Sequence, residues 1–127
     1  PVFLLQKIIG HIESAGNVIF TGSLMGIHPH GTSLAYGITK SATHALVRNL
    51  VKFLKPYNVR VNGVAPGFVD TDWQKTKPAE IRRNIEKKIA LERFCLPQEV
   101  AKVYLMLAQN EYFNGEIIKI DGGYSYK

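Results

Sequence analysis

Apolar positions along the chain fall into blocks with two different periods. Val2 to Ile12 is apolar with Gln6, Lys7 and His11 between, and predicts the end of a helix that Gly16-Asn17 breaks. Val18-Ile19-Phe20 is a short, β-branched-rich run, the pattern of a buried strand. Thr21 to Ser33 is rich in Gly, Ser, Thr, His and Pro and predicts a loop, with Ser33 placed to cap the next element. From Leu34 to Lys55, apolar residues stand at 34, 38, 42, 45, 46, 50, 53 and 54. That spacing predicts a long helix with a wide apolar face, stopped by Pro56. Val59 to Val64 alternates around Arg60 and Asn62 and predicts a second strand, ended by Ala65-Pro66-Gly67. Asp70 to Pro78 reads as a polar loop, and Ala79 to Ala90 as a helix with Ile81, Ile85 and Ile89 on one face. Pro97 suits a first helical turn, with the helix running on through Glu99 to Gln109. Glu116 to Ile120 predicts a last strand, and Asp121-Gly122-Gly123 a turn.

Strands that alternate with helices place the chain in the α/β class, with a mostly parallel sheet. Three strands make a poor independent sheet, because one edge would be exposed and apolar. The pattern predicts the second half of a doubly wound domain, with helices on both faces, over 1–127. Pro1 opens an apolar stretch and reads as a cut rather than a natural beginning.

Composition narrows the class further. Of 127 residues, 46% are hydrophobic and 20% charged, which excludes a collagen, a disordered tail and a disulfide scaffold. The single cysteine, Cys95, cannot form a disulfide within the chain, and favours a reducing compartment such as the cytoplasm. No apolar run approaches the roughly 20 residues of a membrane span, and the start lacks the plan of a signal peptide. The net charge of +6 is unevenly placed: residues 75–93 hold seven basic and three acidic side chains, and residues 14–69 hold no Asp or Glu. The dense run around Arg82-Arg83 and Lys87-Lys88 reads as the solvated face of a helix rather than a nucleic-acid contact. His28 and His30 stand two apart with no third ligand nearby, and with His44 they make no metal set. Cys95 reads as a small, partly buried side chain.

The chemistry concentrates at two strand ends and one helix start. Tyr36 and Lys40 are four apart on the long helix, so they share a face with Cβ atoms about 5–6 Å apart. An ammonium beside a phenol favours the phenolate, which suits the pair to proton transfer in alcohol–ketone chemistry. Ser23 follows the first strand, at the sheet end where open α/β folds bind ligands. Pro66-Gly67-Phe68-Val69-Asp70-Thr71 follows the second strand and offers backbone amides and a hydroxyl. Trp73 stands where an aromatic can cover a substrate or anchor a lid.

The order of these features resembles the short-chain dehydrogenase/reductase family. It runs Gly-Asn-Val-Ile-Phe-Thr-Gly-Ser, Tyr-x-x-x-Lys, Asn-Val-Arg-Val-Asn-Gly-Val-Ala-Pro-Gly-Phe-Val-Asp-Thr, Arg93-Phe94 through Pro97-Gln98-Glu99-Val100-Ala101, and Gly115-Glu116 through Asp121-Gly122-Gly123. The resemblance implies a Rossmann-type fold and hydride transfer between NAD or NADP and a small carbonyl compound or secondary alcohol. It implies Tyr36 as general acid and base, Lys40 lowering the Tyr36 pKa and holding the nicotinamide ribose, and Ser23 binding the substrate oxygen. Pro66, Gly67, Val69 and Thr71 would hold the nicotinamide; Gly67, Phe68 and the loop carrying Trp73 would shape the substrate pocket. The segment 72–90 is similar to the family's variable lid. By the same resemblance the long helix and the one before it form a dimer contact, and the last strand helps build a tetramer. Two family features are missing: the glycine-rich dinucleotide turn, and a catalytic asparagine that falls before Pro1. Thr21-Gly22-Ser23-Leu24-Met25-Gly26-Ile27-His28 imitates that turn, but lacks its last glycine and the acidic residue about twenty positions on. The isolated 127 residues are therefore expected to be inactive. The alternative is a non-catalytic oligomerisation or binding module.

Overall fold

The computed structural model describes residues 1–29, 31 and 33–126. Three strands, β1 (Asn17–Thr21), β2 (Arg60–Pro66) and β3 (Ile117–Ile120), form a parallel sheet in the order β1-β2-β3. Asn17 pairs with Arg60 through Thr21 with Val64, and Gly63 pairs with Ile117 through Pro66 with Ile120. Parallel neighbours need crossovers. The first is α2 (Leu34–Leu54) and the second ends in α5 (Pro97–Gln109), while α1 (Val2–Ile8) precedes the sheet.

Residues 61–65 of β2 are all buried because helices cover both faces of the strand. Val61 lies with Leu5, Val47 and Leu54 on the side of α1 and α2. Val64 lies with Val100 and Leu107 on the side of α5. The polar members of β2 therefore do not face water. Arg60 Nη1 donates to the carbonyls of Leu107 (3.2 Å), Asn110 (3.2 Å) and Phe113 (3.0 Å), and Nη2 to Ala108 (3.2 Å). Asn62, fully buried, donates to the Phe113 carbonyl at 2.8 Å and accepts the Glu116 N–H at 3.1 Å. Asn17 Nδ2 adds a bond to Leu107 O at 2.8 Å. A helix end leaves carbonyls without intrahelical partners; here the sheet supplies them, with a cation on the negative end of the helix dipole.

Several boundaries differ from the predicted ones. The first helix stops at Ile8 and continues as a tight 3₁₀ turn over Ile9–His11. The long helix ends at Leu54, and Pro56 sits inside a 3₁₀ turn, Lys55–Tyr57, closed by Asn58 in the left-handed region (φ 53°). Ser33 precedes α2 without a side-chain cap; its carbonyl accepts the Gly37 N–H at 3.0 Å. The predicted loops contain a 3₁₀ turn at Leu24–Gly26 and a one-turn helix α3 (Asp72–Lys75). The next helix, α4 (Ala79–Glu86), is shorter than predicted.

The long helix also corrects its predicted face. The residues it buries are His44, Val47 and Leu54, with Leu50 and Val51 partly covered. Ile38 and Phe53, from the predicted apolar set, are 58% and 74% exposed. The wide face is thus two faces, one on the sheet and one turned outward.

Candidate active site

Strands β1 and β2 end side by side, and the first turns of α2 lie against the same sheet end. Gly22 N–H donates to the Val64 carbonyl at 2.7 Å, so the chain leaving β1 stays locked to β2. The cleft opened there has a volume of about 450 Å³. All nine sequence-predicted site residues line it: Ser23 from the end of β1, Tyr36 and Lys40 from α2, Pro66 to Val69 and Thr71 from the end of β2, and Trp73 from α3. Thr21, Gly22, Met25, Ser33 and Gln74 also line it, and sequence reasoning had not named these as site residues. Lys40 is the one charged lining side chain among the described residues, and no carboxylate is in the lining.

The side chains are held by definite partners. Lys40 Nζ donates to the Thr21 carbonyl at 3.0 Å and lies 5.7 Å from the centre of the Tyr36 ring. The i, i+4 spacing put them together; the bond to β1 fixes the ammonium under the cleft. Ser23 is buried, with an extended backbone, at the start of the 3₁₀ turn. Its Oγ accepts the Met25 N–H at 3.2 Å, and its own N–H donates to His44 Nε2 at 3.3 Å. A hydroxyl that already accepts one bond keeps its proton to give.

The far wall is fixed from behind. Cys95 N–H donates to Phe68 O (2.9 Å) and Asp70 N–H to Cys95 O (2.8 Å), a parallel bridge that extends β2 beyond Pro66. Phe68 is edge-on to Phe94 at 6.0 Å and tilted against Tyr124 at 5.0 Å. Arg82, predicted on a solvated face, turns inward. It pairs with Asp70 at 3.0 Å and lies 4.4 Å over the Phe94 ring, tying α4 to the cleft wall. Trp73 is 76% exposed on the rim, with Lys77 Nζ 5.9 Å from the centre of its ring.

From the sequence, His44 reads as a pocket-lining or solvated histidine rather than a metal ligand, with no partner assigned. It is buried, and burial first, then the Arg48 and Lys40 charges, hold its pKa below 6.5 against the opposing hydrogen bond that the ring donates to the Gly26 backbone. The signal that finds it is spacing: 36, 40 and 44 fall on one helical face. Among the described residues no three His, Cys, Asp or Glu side chains gather as a metal site; His30 lies outside the described residues. Burial raises the Cys95 thiol pKa, with Glu99 adding to the effect, so it stays protonated rather than reactive. No helix among the described residues is long and apolar enough to cross a membrane.

Comparison with known proteins supplies the remaining context. The family profile described as enoyl-(acyl carrier protein) reductase matches residues 1–125. Tropinone reductase-like 3 of Erythroxylum coca is 35% identical over 126 residues, which are 96% of this chain and 48% of that protein. A short-chain dehydrogenase/reductase homolog of Bacillus subtilis, YusR, is 37% identical over 108 residues, 85% of this chain and 82% of the homolog. Among solved structures, a short chain dehydrogenase family protein from Francisella tularensis superposes with a TM-score of 0.91 at 27% identity, over 99% of this chain and 57% of that one. The chain spans about half the length of the first curated relatives it matches.

Proposed function

The chain belongs to the short-chain dehydrogenase/reductase family, and from that premise we propose that it is the carboxyl-terminal half of a cytoplasmic oxidoreductase subunit. The reaction is hydride transfer between NAD or NADP and a small carbonyl compound or secondary alcohol. The observation that carries this reading is the convergence of Ser23, Tyr36 and Lys40 with the end of β2 in one cleft. The donor set suits a nicotinamide dinucleotide: a single ammonium, no carboxylate among the described lining residues, and hydroxyl-bearing side chains at the carboxyl ends of parallel strands, although the Gly67 and Thr71 N–H groups already donate to Ile120 O and Val69 O. Pro66, Gly67, Val69 and Thr71 would hold the nicotinamide and Lys40 the ribose; the bound cofactor supplies or accepts the hydride.

The chain's own residues handle the oxygen. Ser23 donates a hydrogen bond from its hydroxyl to the substrate oxygen while its Oγ accepts the Met25 N–H, and it keeps its proton. Removing one such donor costs about 10²–10³ in turnover. Tyr36 gives its phenolic proton to that oxygen as C=O becomes CH–OH, and takes it back in oxidation. Lys40, held by Thr21 O, stabilises the negative charge left on the phenol. Phe68 and Trp73 shape the space for the substrate's carbon skeleton.

The test is expression of the intact polypeptide that carries this sequence, assayed with NADH and NADPH against acyl-carrier thioesters and small ketones. Tyr36→Phe should lower kcat by about 10²–10⁴-fold, the usual share of a general acid, with an unchanged melting curve; retained turnover removes Tyr36 from the reaction. The 82% coverage of the Bacillus homolog favours a second reading, a half-length chain that acts alone as a non-catalytic oligomerisation module. An intact mass near 14.2 kDa supports that reading, and a mass near twice that value supports the enzyme.

A further inference from the structure

We infer that His44 is a positioning residue: its imidazole, wedged between Gly22 and Gly26, accepts the Ser23 backbone N–H and so sets where the Ser23 hydroxyl stands in the cleft. This rests on the role proposed for Ser23 above. Position 44 is on the sheet-facing side of α2, 4% exposed, where packing alone would select an apolar side chain. A buried polar ring needs a partner, and Nε2 finds one in the Ser23 N–H at 3.3 Å. The turn is dimensioned to the ring. A Cβ at Gly22 would overlap Nε2 and Cδ2, and a Cβ at Gly26 would come within 2.8 Å of Cε1 and 2.9 Å of Nδ1. Because Nε2 accepts, the ring proton sits on Nδ1, on the side of the Gly26 backbone that hydrogen-bonds it. Ser23 is then held twice, by His44 at its N–H and by Met25 N–H at its Oγ.

A leucine at position 44 would fill the volume and leave the Ser23 N–H unpaired. The difference between filling and positioning is therefore the acceptor, and the acceptor exists in the neutral ring alone. The charged groups facing His44 are Lys40 and Arg48, both on its own helix. The 22–26 turn and the end of β2 to which it hydrogen-bonds bring no titratable side chain. Protonation places a second donor against the Ser23 N–H and pushes the turn out of register. Burial first, then the Arg48 and Lys40 charges, keep that event below pH 6.5.

The experiment compares His44→Gln, which keeps an acceptor that cannot protonate, with His44→Leu, in the intact protein. His44→Leu should lower kcat by about ten- to a hundred-fold, the scale of a misplaced reacting group, with KM little changed. His44→Gln should restore most of kcat and remove an acid limb that the wild type shows below pH 6.5. Wild-type kcat in His44→Leu, with the acid limb intact, overturns the inference. Imidazole ¹⁵N spectra of the wild-type protein read the same arrangement without turnover. The Nδ1–H tautomer, with the Ser23 amide shift following the His44 titration, is expected; the Nε2–H tautomer at neutral pH overturns it. If the wild type reduces no carbonyl compound with either nicotinamide, the enzyme reading fails, and the spectra still decide whether His44 holds Ser23.

Discussion

Glu99 illustrates how much one side chain organises in this fold. It is the third residue of α5, and its Oε2 reaches back to accept the Leu96 N–H at 2.7 Å, one half of a capping box. The same carboxylate takes both arms of Arg93, at 2.6 and 2.8 Å. Arg93 first, then the Leu96 N–H, holds its pKa at about 2, against an ordinary value of 4.5. A depressed carboxylate stabilises the folded state above its unfolded pKa and loses that contribution as pH falls through the folded one. Melting temperatures of the wild type and Glu99→Gln should differ by a constant amount from pH 7 to 5. The gap should narrow below 4.5 and close near pH 2. A gap that persists at pH 2 would assign the effect to side-chain shape rather than charge. The Arg93-to-Glu99 spacing was visible as a family motif, but its role in starting α5 needed the side-chain geometry.

At the level of helices and strands, periodicity located most elements and misread what their faces do. Arg60 and Asn62 gave β2 an alternating pattern, which normally marks one wet face. In the structure that face is covered by α5; Arg60 binds the carbonyls where α5 ends, and Asn62 binds Phe113 O in the segment after it. Arg60→Met keeps the aliphatic stem and strands those carbonyls. It should cost about 2–3 kcal/mol, the range for losing a charged hydrogen-bond donor in a covered site. Urea unfolding measures the loss, and amide exchange should rise first at the end of α5. A loss under about 0.5 kcal/mol, the level of an ordinary surface change, would mean that water replaces the guanidinium. Helix α4 and the residues after it show the same limit of pattern reading. The 81, 85 and 89 stripe is real, yet Ile81 remains exposed while Arg82 beside it carries the contact to Asp70 and Phe94. A salt bridge with a covering aromatic ring is invisible to a hydropathy period.

For the molecule as a whole, the unspent apolar surface is the main feature. Phe3 and Leu4 of α1, and Leu34, Ile38 and Phe53 of α2, are exposed together with large side chains. Among the described residues β1 has one partner strand, β2. We propose that the helix faces form a contact between copies of the subunit, dimer or tetramer, as the family resemblance implies. Phe53→Lys should then shift the sedimentation coefficient of the intact protein toward a smaller species without altering its circular dichroism. An unchanged coefficient would remove α2 from the contact.

The linear order of residues was enough for the parallel α/β class, for three strands and their approximate limits, and for the residues that now surround one cleft. Local chemistry explains why: strand ends, helix starts and i, i+4 pairs are short-range features that hydropathy and spacing encode directly. Packing chose the rest. It buried His44 against Ser23, turned Arg60 and Arg82 inward, and left half of the α2 apolar face bare. Those outcomes depend on which element lies across from a side chain, and contacts between residues 21 to 53 positions apart leave no periodic trace along the chain.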